Sequence, residues 1–462
     1  MKNYAVVLAA GKGTRMKSAR EDVSKVAFPI LGRPMLQWVL ESLKAVKFDR
    51  IVTVVGFGGK RSEEIAAPYG DVVWQKEQKG TGHAVMMAAP ILAEEEGVTL
   101  VCRGDMPLLT DKTLSALLSA HGTRHDDLTV LTSFVDDPRG YGRIIKKNGS
   151  VERIVEPKDT TPDIEAIHEI NAGVYVFNNR ELFKFLKKNA SSSSREDYLG
   201  DVVSAFVAEG KKVSAFCIND VEQIGSVNDR YQLALATKAL RNRINRRWMS
   251  FGVTLEDPDT TYIGPDATLS RDVTIRSNTH VLGNSSIGEG SIIGPDSYIE
   301  NTLIGENNVI EYSHIVDCFV DNETTIGPFA RLRKGTHVRD HAHIGNFTEM
   351  KNASFGVGSR AGHLSYIGDT EVGDDVNIGC GTAVANWDGV GYASSIIDDH
   401  AFIGSGSTLI SPVHIGESAL IAAGSTITED VMPHDMAIAR NRQENKEGYA
   451  DTFKEKAEKK HR

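Results

Sequence analysis

The sequence predicts two architectures in series, a doubly wound (Rossmann-like) α/β domain followed by a left-handed parallel β-helix. Three observations carry that prediction. Short apolar runs alternate with helical stretches over residues 1–228, one long polar helix pattern spans 229–250, and from 251 to 440 aliphatic residues return every six positions. A chain of 462 residues also exceeds what one hydrophobic core usually serves, so separate domains are expected on length alone.

In the first segment, residues 4–10, 51–56 and 99–102 read as buried strands, with residues 37–46, 81–95 and 112–121 as helices between them. That alternation indicates βαβ units and a mostly parallel sheet. The connecting helix carries Leu233, Ala236, Leu240 and Ile244 along one side. Its arginines, Arg230, Arg241, Arg243, Arg246 and Arg247, read as a solvated face rather than a polyanion site.

In the third segment Ile263, Leu269, Ile275, Val281, Ile287, Ile293 and Ile299 keep the six-residue step without a miss. The frame slips and resumes at Ile304, Ile310 and Val316, and again at Ile326, Leu332, Val338 and Ile344. It continues with Val372, Ile378 and Val384, then with Ile397, Ile403, Leu409, Ile415, Ile421 and Ile427. Six is neither a helix period nor a hairpin spacing. It is the repeat of a parallel β-helix, in which one aliphatic residue per face points inward and stacked coils share a core. Between Val384 and Ile397 the step is 13 rather than 12, so a loop containing Asn386-Trp387-Asp388-Gly389 is expected to leave the coil, where binding groups tend to sit. Residues 441–462 leave the period and turn polar and lysine-rich, which fits either a flap over a ligand site or a disordered terminus.

A net charge of -10 argues against a general nucleic-acid or membrane-surface role and favours small-molecule substrates. No window approaches the roughly 18 apolar residues of a membrane span, so no membrane insertion is expected. Met1-Lys2-Asn3-Tyr4 leads straight into a strand pattern, and Cys102, Cys217, Cys318 and Cys380 form neither a CxxC pair nor a dense framework. Together these predict a reducing, cytoplasmic setting.

The first strand runs into Leu8-Ala9-Ala10-Gly11-Lys12-Gly13-Thr14-Arg15-Met16. Glycines there let backbone N–H groups approach phosphate oxygens, while Lys12, Arg15 and Lys25 can neutralise a triphosphate, although the Walker ending is missing. Gln75, Gln78, Gly80 and Thr81 form a turn whose amides suit a base edge. Asp105 falls at a strand's carboxyl end, the usual ligand position in such sheets, where a carboxylate suits Mg²⁺ shared with phosphates; alone it reads equally as a solvated turn residue. The turns around Gly142, Glu156, Asn171 and Asn228 each place polar groups, and singly each reads as structural.

In their joint order these motifs and the six-residue repeats resemble, over nearly the whole chain, the bacterial bifunctional N-acetylglucosamine-1-phosphate uridylyltransferase/glucosamine-1-phosphate acetyltransferase family. The resemblance implies that the first domain is a nucleotidyltransferase joining UTP to N-acetylglucosamine 1-phosphate with release of pyrophosphate. It implies equally that the β-helix acetylates glucosamine 1-phosphate with acetyl-CoA, and that the chain is a homotrimer with the coenzyme in a groove between neighbouring β-helices. By matching motif, Leu8, Ala9, Ala10, Gly11, Gln75, Gly80 and Thr81 would hold the uridine nucleotide, and Gly142, Glu156 and Asn171 the sugar. Asp105 and Asn228 would ligate Mg²⁺, with Arg15 and Lys25 neutralising charge during transfer.

In the β-helix the resemblance gives Arg333 and Lys351 to the sugar phosphate, Tyr366 and Asn377 to the amino sugar, and His363 the role of base. An imidazole suits the removal of a proton from an attacking amine near neutral pH, although His363 read alone is more readily a turn histidine than a catalyst. Asn386, Ser405, Ala423 and Arg440 match positions near acetyl-CoA, as do Cys380 and Trp387, where the family has other residues. Three departures bear on the substrates: Arg103 replaces an aromatic residue and Ala172 a threonine, predicting altered sugar or base preference, and Tyr392 replaces a lysine, predicting weaker sugar-phosphate or coenzyme binding. Ser24, standing where a proline precedes the lysine, bears instead on the role given to Lys25. Two other readings compete: a monofunctional pyrophosphorylase with a structural β-helix, and a non-catalytic regulatory subunit.

Overall fold

The strand Asn3–Ala9 is apolar on both faces because both are covered. Val6 packs with Val52, Val54, Val85 and Leu92 on one side of the sheet, and Ala5 and Val7 with Leu36, Leu40, Leu100 and Leu117 on the other. The computed structural model of the chain describes residues 2–19, 23–189 and 199–461. They fall into two units, residues 1–243 and 244–462, divided inside the helix Arg230–Phe251.

In the first unit the strands run in the order Val213–Ile218, Leu128–Phe134, Glu169–Asn178, Val98–Arg103, Asn3–Ala9, Arg50–Val55, Asp71–Trp74. All neighbours are parallel except Glu169–Asn178, which is antiparallel to both of its partners. Successive strands depart in opposite directions from Asn3–Ala9, so a crevice opens at the carboxyl ends of that strand and Val98–Arg103. The expected strands and the helices Met35–Val46 and Asp111–Arg124 are present. The expected helix over 81–95 is two short ones, Thr81–Met86 and Ala89–Leu92.

The second unit is the β-helix. Ile263 pairs in parallel with Val281, Leu269 with Ile287 and Ile275 with Ile293, a turn of the coil every 18 residues. The aliphatic column is buried throughout, and a second inward position lies two residues before each member. Thr261, Thr279, Ser285, Ser291, Ser297 and Thr302 fill it, small enough for the coil's interior, and the Ser291 hydroxyl donates to the Gly305 carbonyl at 2.9 Å while accepting from Asn308 N–H at 3.0 Å. One expected member was misplaced: Val316 is only half-buried, and Ile315 points inward instead, because the coil shortens there and Ile299 pairs with Ile315. The column also continues through Met350, Phe355, Ala361 and Ile367, where the period had been lost to non-aliphatic or off-step residues. Residues 449–460 form a helix with no buried residue, an outcome that neither expectation for the tail included.

On one corner Tyr312, Phe329, Phe347 and Leu364 follow one another on successive coils, 41 to 58% exposed and all with positive φ. The Phe329 and Phe347 rings stack at 5.5 Å.

Candidate active sites

The crevice of the first unit is a cleft of about 660 Å³. Leu8, Ala9, Ala10 and Gly11 form one wall, Gln75, Gly80 and Thr81 a second, and Gly142, Glu156 and Asn171 a third, with Arg15, Lys25 and Asp105 also lining it. Lys12 is exposed and lies outside that lining. The walls are tied to one another. Gln78 donates to the Ala10 carbonyl at 2.5 Å, and Gln75 donates to the Gly80 carbonyl at 3.1 Å and meets His83 Nδ1 at 2.9 Å. A register shift between Asn171 and Tyr175 lets Asn171 turn, its Oδ1 accepting from Gly173 N–H at 2.9 Å and its amide donating to Tyr175 at 2.7 Å.

The cleft holds a charge cluster. Asp105 is 3% exposed, so the reading as a solvated turn aspartate is wrong. Its Oδ2 accepts from Lys25 Nζ and, at 2.9 Å, from Arg103. Burial pushes the Asp105 carboxyl up, but the Arg103 and Lys25 charges outweigh it and hold the group below its ordinary range. Burial dominates for Lys25, lowering the pKa of its ammonium despite Asp105. Asn228, anchored through its amide to Ser226, offers Oδ1 to Lys25 at 2.8 Å and to Arg15 at 2.9 Å. Asp105 Oδ1 is buried and meets no hydrogen-bond partner among the described residues. Arg103 belongs to this cluster, and its departure from the family pattern was the only signal that pointed to it. Glu156 is raised, by burial first and then by Asp201.

In the β-helix, register assembles the second set. Arg333, Lys351 and Gly368 are partners on consecutive coils, as are Glu349, Tyr366 and Ala383. Arg333 donates to Glu349 at 2.9 Å. Asn346 and His363 are also partners, and Asn346 Oδ1 lies 2.9 Å from His363 Nδ1. The loop at Asn386 leaves the coil as expected, since Val372 pairs with Ile397, 25 residues on. Asn386 is 5% exposed and reaches Asp369 Oδ2 at 2.6 Å and the Tyr366 hydroxyl at 3.4 Å. Tyr392, noted in the sequence only as a lysine replaced, lies in the loop with its ring 3.6 Å from Lys351 Nζ, and Asp369, which the sequence did not single out, lies 3.9 Å from that nitrogen.

Cys380, Ser405 and Ala423 lie on another column. Gly381 N–H donates to the Leu364 carbonyl, Gly406 N–H to that of Cys380 and Gly424 N–H to that of Ser405, at 2.7 to 2.8 Å. His363, Cys380, Ser405 and Ala423 therefore occupy equivalent turns of successive coils, each just before a residue of positive φ. Arg440 continues the column, its Cδ within 4.0 Å of where a Cβ on Gly424 would stand. Asn377 lies on a flanking strand, paired with Arg360 and Phe402. Trp387 sits in the loop with its ring 4.8 Å from that of Tyr392.

Comparison with known proteins agrees with both units. The Nucleotidyl transferase family model matches residues 4–240, and the Bacterial transferase hexapeptide (six repeats) model matches residues 394–429. The chain is 44% identical to the bifunctional protein GlmU of Exiguobacterium sibiricum, over 97% of this chain and 100% of that one. It is 45% identical to the protein of that name from Geobacillus sp. strain WCH70, over 98% of each chain, and 45% identical to that of Streptococcus thermophilus, over 97% of this chain and 98% of the other.

Proposed function

The chain belongs to the bifunctional GlmU family, and on that premise we propose that it makes UDP-N-acetylglucosamine in two steps, one in each unit. The second unit transfers an acetyl group from acetyl-CoA to glucosamine 1-phosphate, and the first joins the product to UTP with loss of pyrophosphate. The observation that carries the reading is the charge cluster in the first unit's cleft, a buried carboxylate beside Lys25 and Arg103 with one oxygen that meets no partner among the described residues.

In uridylyl transfer an oxygen of the sugar phosphate attacks the α-phosphorus of UTP, and the bond to the bridging β-phosphate oxygen breaks. Arg15 and Lys25 neutralise the triphosphate, and the backbone at Gly11 approaches it. Gln75, its amide nitrogen already engaged, offers its carbonyl oxygen to the uracil N–H. Gly142, Glu156 and Asn171 take the sugar. Asp105 and Asn228 would hold Mg²⁺: Asp105 Oδ1 meets no partner among the described residues, and the Asn228 amide oxygen, now accepting from Lys25 and Arg15, is a second hard oxygen donor beside it. Bound there, the ion would supply further neutralisation of phosphate charge.

In acetyl transfer the neutral amine of the sugar attacks the thioester carbonyl, its nitrogen loses a proton, and coenzyme A leaves as thiolate. Asn346 Oδ1, which can only accept, faces His363 Nδ1, and in the neutral ring that Nδ1–H puts the lone pair on Nε2, the atom that takes the proton. Arg333 and Lys351 hold the phosphate, with Tyr366 and Asn377 beside the amino sugar. Asn386, Trp387 and the column of Cys380, Ser405, Ala423 and Arg440 accommodate the coenzyme.

A homotrimer is part of the proposal, supported by the exposed apolar ladder from Tyr312 to Leu364, which presents one bulky side chain per coil. Among the described residues no helix is long and apolar enough to cross a membrane. The test is a coupled assay with Mg²⁺, UTP, glucosamine 1-phosphate and acetyl-CoA, following thiol, pyrophosphate and sugar nucleotide. UDP-N-acetylglucosamine is the expected product. Asp105→Ala is expected to abolish uridylyl transfer and spare acetylation, whereas equal loss of both in a folded protein contradicts the assignment of one reaction to each unit.

A further inference from the structure

Arg333 and Lys351 are neighbours in register, yet their charges are met in different ways. Arg333 is answered by a carboxylate, Glu349, at 2.9 Å. Lys351 Nζ lies 3.6 Å from the centroid of the Tyr392 ring and 3.9 Å from Asp369 Oδ2, the latter beyond hydrogen-bond reach. The oxygens of Asp369 are engaged elsewhere, by Asn386 at 2.6 Å and Asn352 at 2.7 Å. An ammonium over a ring face is attracted by the π-cloud and keeps its N–H donors for another acceptor, whereas a carboxylate would take both charge and donors.

The ring is held in that place by a built hairpin. Ala393 N–H donates to the Asn386 carbonyl at 2.9 Å, closing the loop at its base. At its tip Asp388 accepts from Val390 N–H at 2.8 Å and Gly391 N–H at 2.7 Å. Trp387 and Tyr392 pair across it as an antiparallel bridge, so the indole braces the phenol ring. The loop's one buried polar side chain, Asn386, fixes the base to Asp369, the carboxylate nearest Lys351.

We propose that Tyr392 is a positioning residue for sugar-phosphate binding: its ring holds the Lys351 ammonium in place, with its donors directed to the phosphate of the amino-sugar substrate. The proposal rests on the reading of this unit as the acetyltransferase. It also revises an expectation from the sequence. Tyr392 in place of a lysine removes one cation, but the ring aims the cation that remains, so binding need not weaken.

The test substitutes Tyr392 by Phe, by Leu and by progressively fluorinated phenylalanines of the same shape. It measures kcat and the KM for glucosamine 1-phosphate and for acetyl-CoA by thiol release, with uridylyl transfer as the control for a folded chain. Y392F is expected to stay within about 2-fold of the parent, while Y392L raises KM for the sugar phosphate about 5- to 10-fold with kcat and the acetyl-CoA KM little changed. Each added fluorine, by draining the ring's negative face, should raise that KM further. An unmoved KM in Y392L, an equal rise for both substrates, or indifference to fluorination overturns the role of Tyr392 alone. If the parent protein releases no thiol with glucosamine 1-phosphate, the acetyltransferase reading falls as well. The fluorinated series decides the matter should Y392L fail to fold.

Discussion

A methyl group added at Gly11 and one added at Gly13 have different consequences although the residues share a loop. At Gly11 a Cβ would meet nothing within 4 Å, while at Gly13 it would stand 2.6 Å from Lys25 Cβ on a backbone with φ of +60. Gly11→Ala is therefore expected to keep its melting temperature and lose uridylyl transfer, because the methyl occupies space that the nucleotide needs. Gly13→Ala should lose both, since it displaces Lys25 and strains the turn by about 1 kcal/mol or more. Calorimetry beside the assay separates the two. Glu156 gives a pH-dependent case. Its carboxyl is raised from an ordinary 4.5, by burial and then Asp201, so the folded state binds the proton more tightly than the unfolded chain. Stability contributed by this group is complete below that value and falls as pH rises through the folded pKa. Glu156→Gln should then be more stable than the parent at pH 7, match it in acid, and bind the sugar less well; a melting-temperature difference that does not change with pH would contradict this. The sequence pointed to Asp105 and Lys25 but not to their contact, because 80 residues separate them and 203 separate Lys25 from Asn228. Arg103 was legible only as a misfit, and its bond to Asp105 needs the strand end to be seen.

The β-helix was legible as an element because its period is written in residue type, and it failed where residue type is ambiguous. Ile315 and Val316 both suit the inward position, and only the shortened coil decides between them. At Met350, Phe355 and Ala361 the inward residue is not Ile, Val or Leu, and Phe355 comes one residue early, so the period vanished from the sequence although the column did not break. A member inside the solenoid is sandwiched by its partners one coil away on either side. Ile344, fully buried, pairs with Ile326 and Ala361. Ile344→Ala should open a cavity that the stacked strands cannot close, costing about 2 to 4 kcal/mol. In a solenoid that loss is felt first by neighbouring coils. Hydrogen exchange should therefore quicken most at residues 326 and 361, adjacent in space, and least at the distant 263; uniform acceleration over the whole unit would contradict nearest-neighbour stability.

At the scale of the whole molecule the sequence supplied the division into an α/β part and a β-helix but could not supply a surface for self-association, since an outward aromatic looks like any turn residue until the coils are stacked. Tyr312, Phe329, Phe347 and Leu364 make that surface readable. Bulky residues with positive φ cost roughly 1 kcal/mol each, and the four in this column, with Tyr312, Phe329 and Phe347 paired ring to ring along one edge, still leave 41 to 58% of their surface exposed. A second copy would bury them. The proposed trimer should weigh about three times 50.3 kDa by light scattering. Phe329→Asp sets a charge between Tyr312 and Phe347 and should shift the mass toward 50.3 kDa. Acetyl transfer should fall with it, because the coenzyme groove is proposed to lie between chains, while uridylyl transfer, whose cleft lies within one unit, should persist. A mass unchanged by the substitution would remove the ladder from the interface, and loss of mass without loss of acetyl transfer would place the coenzyme on a single chain.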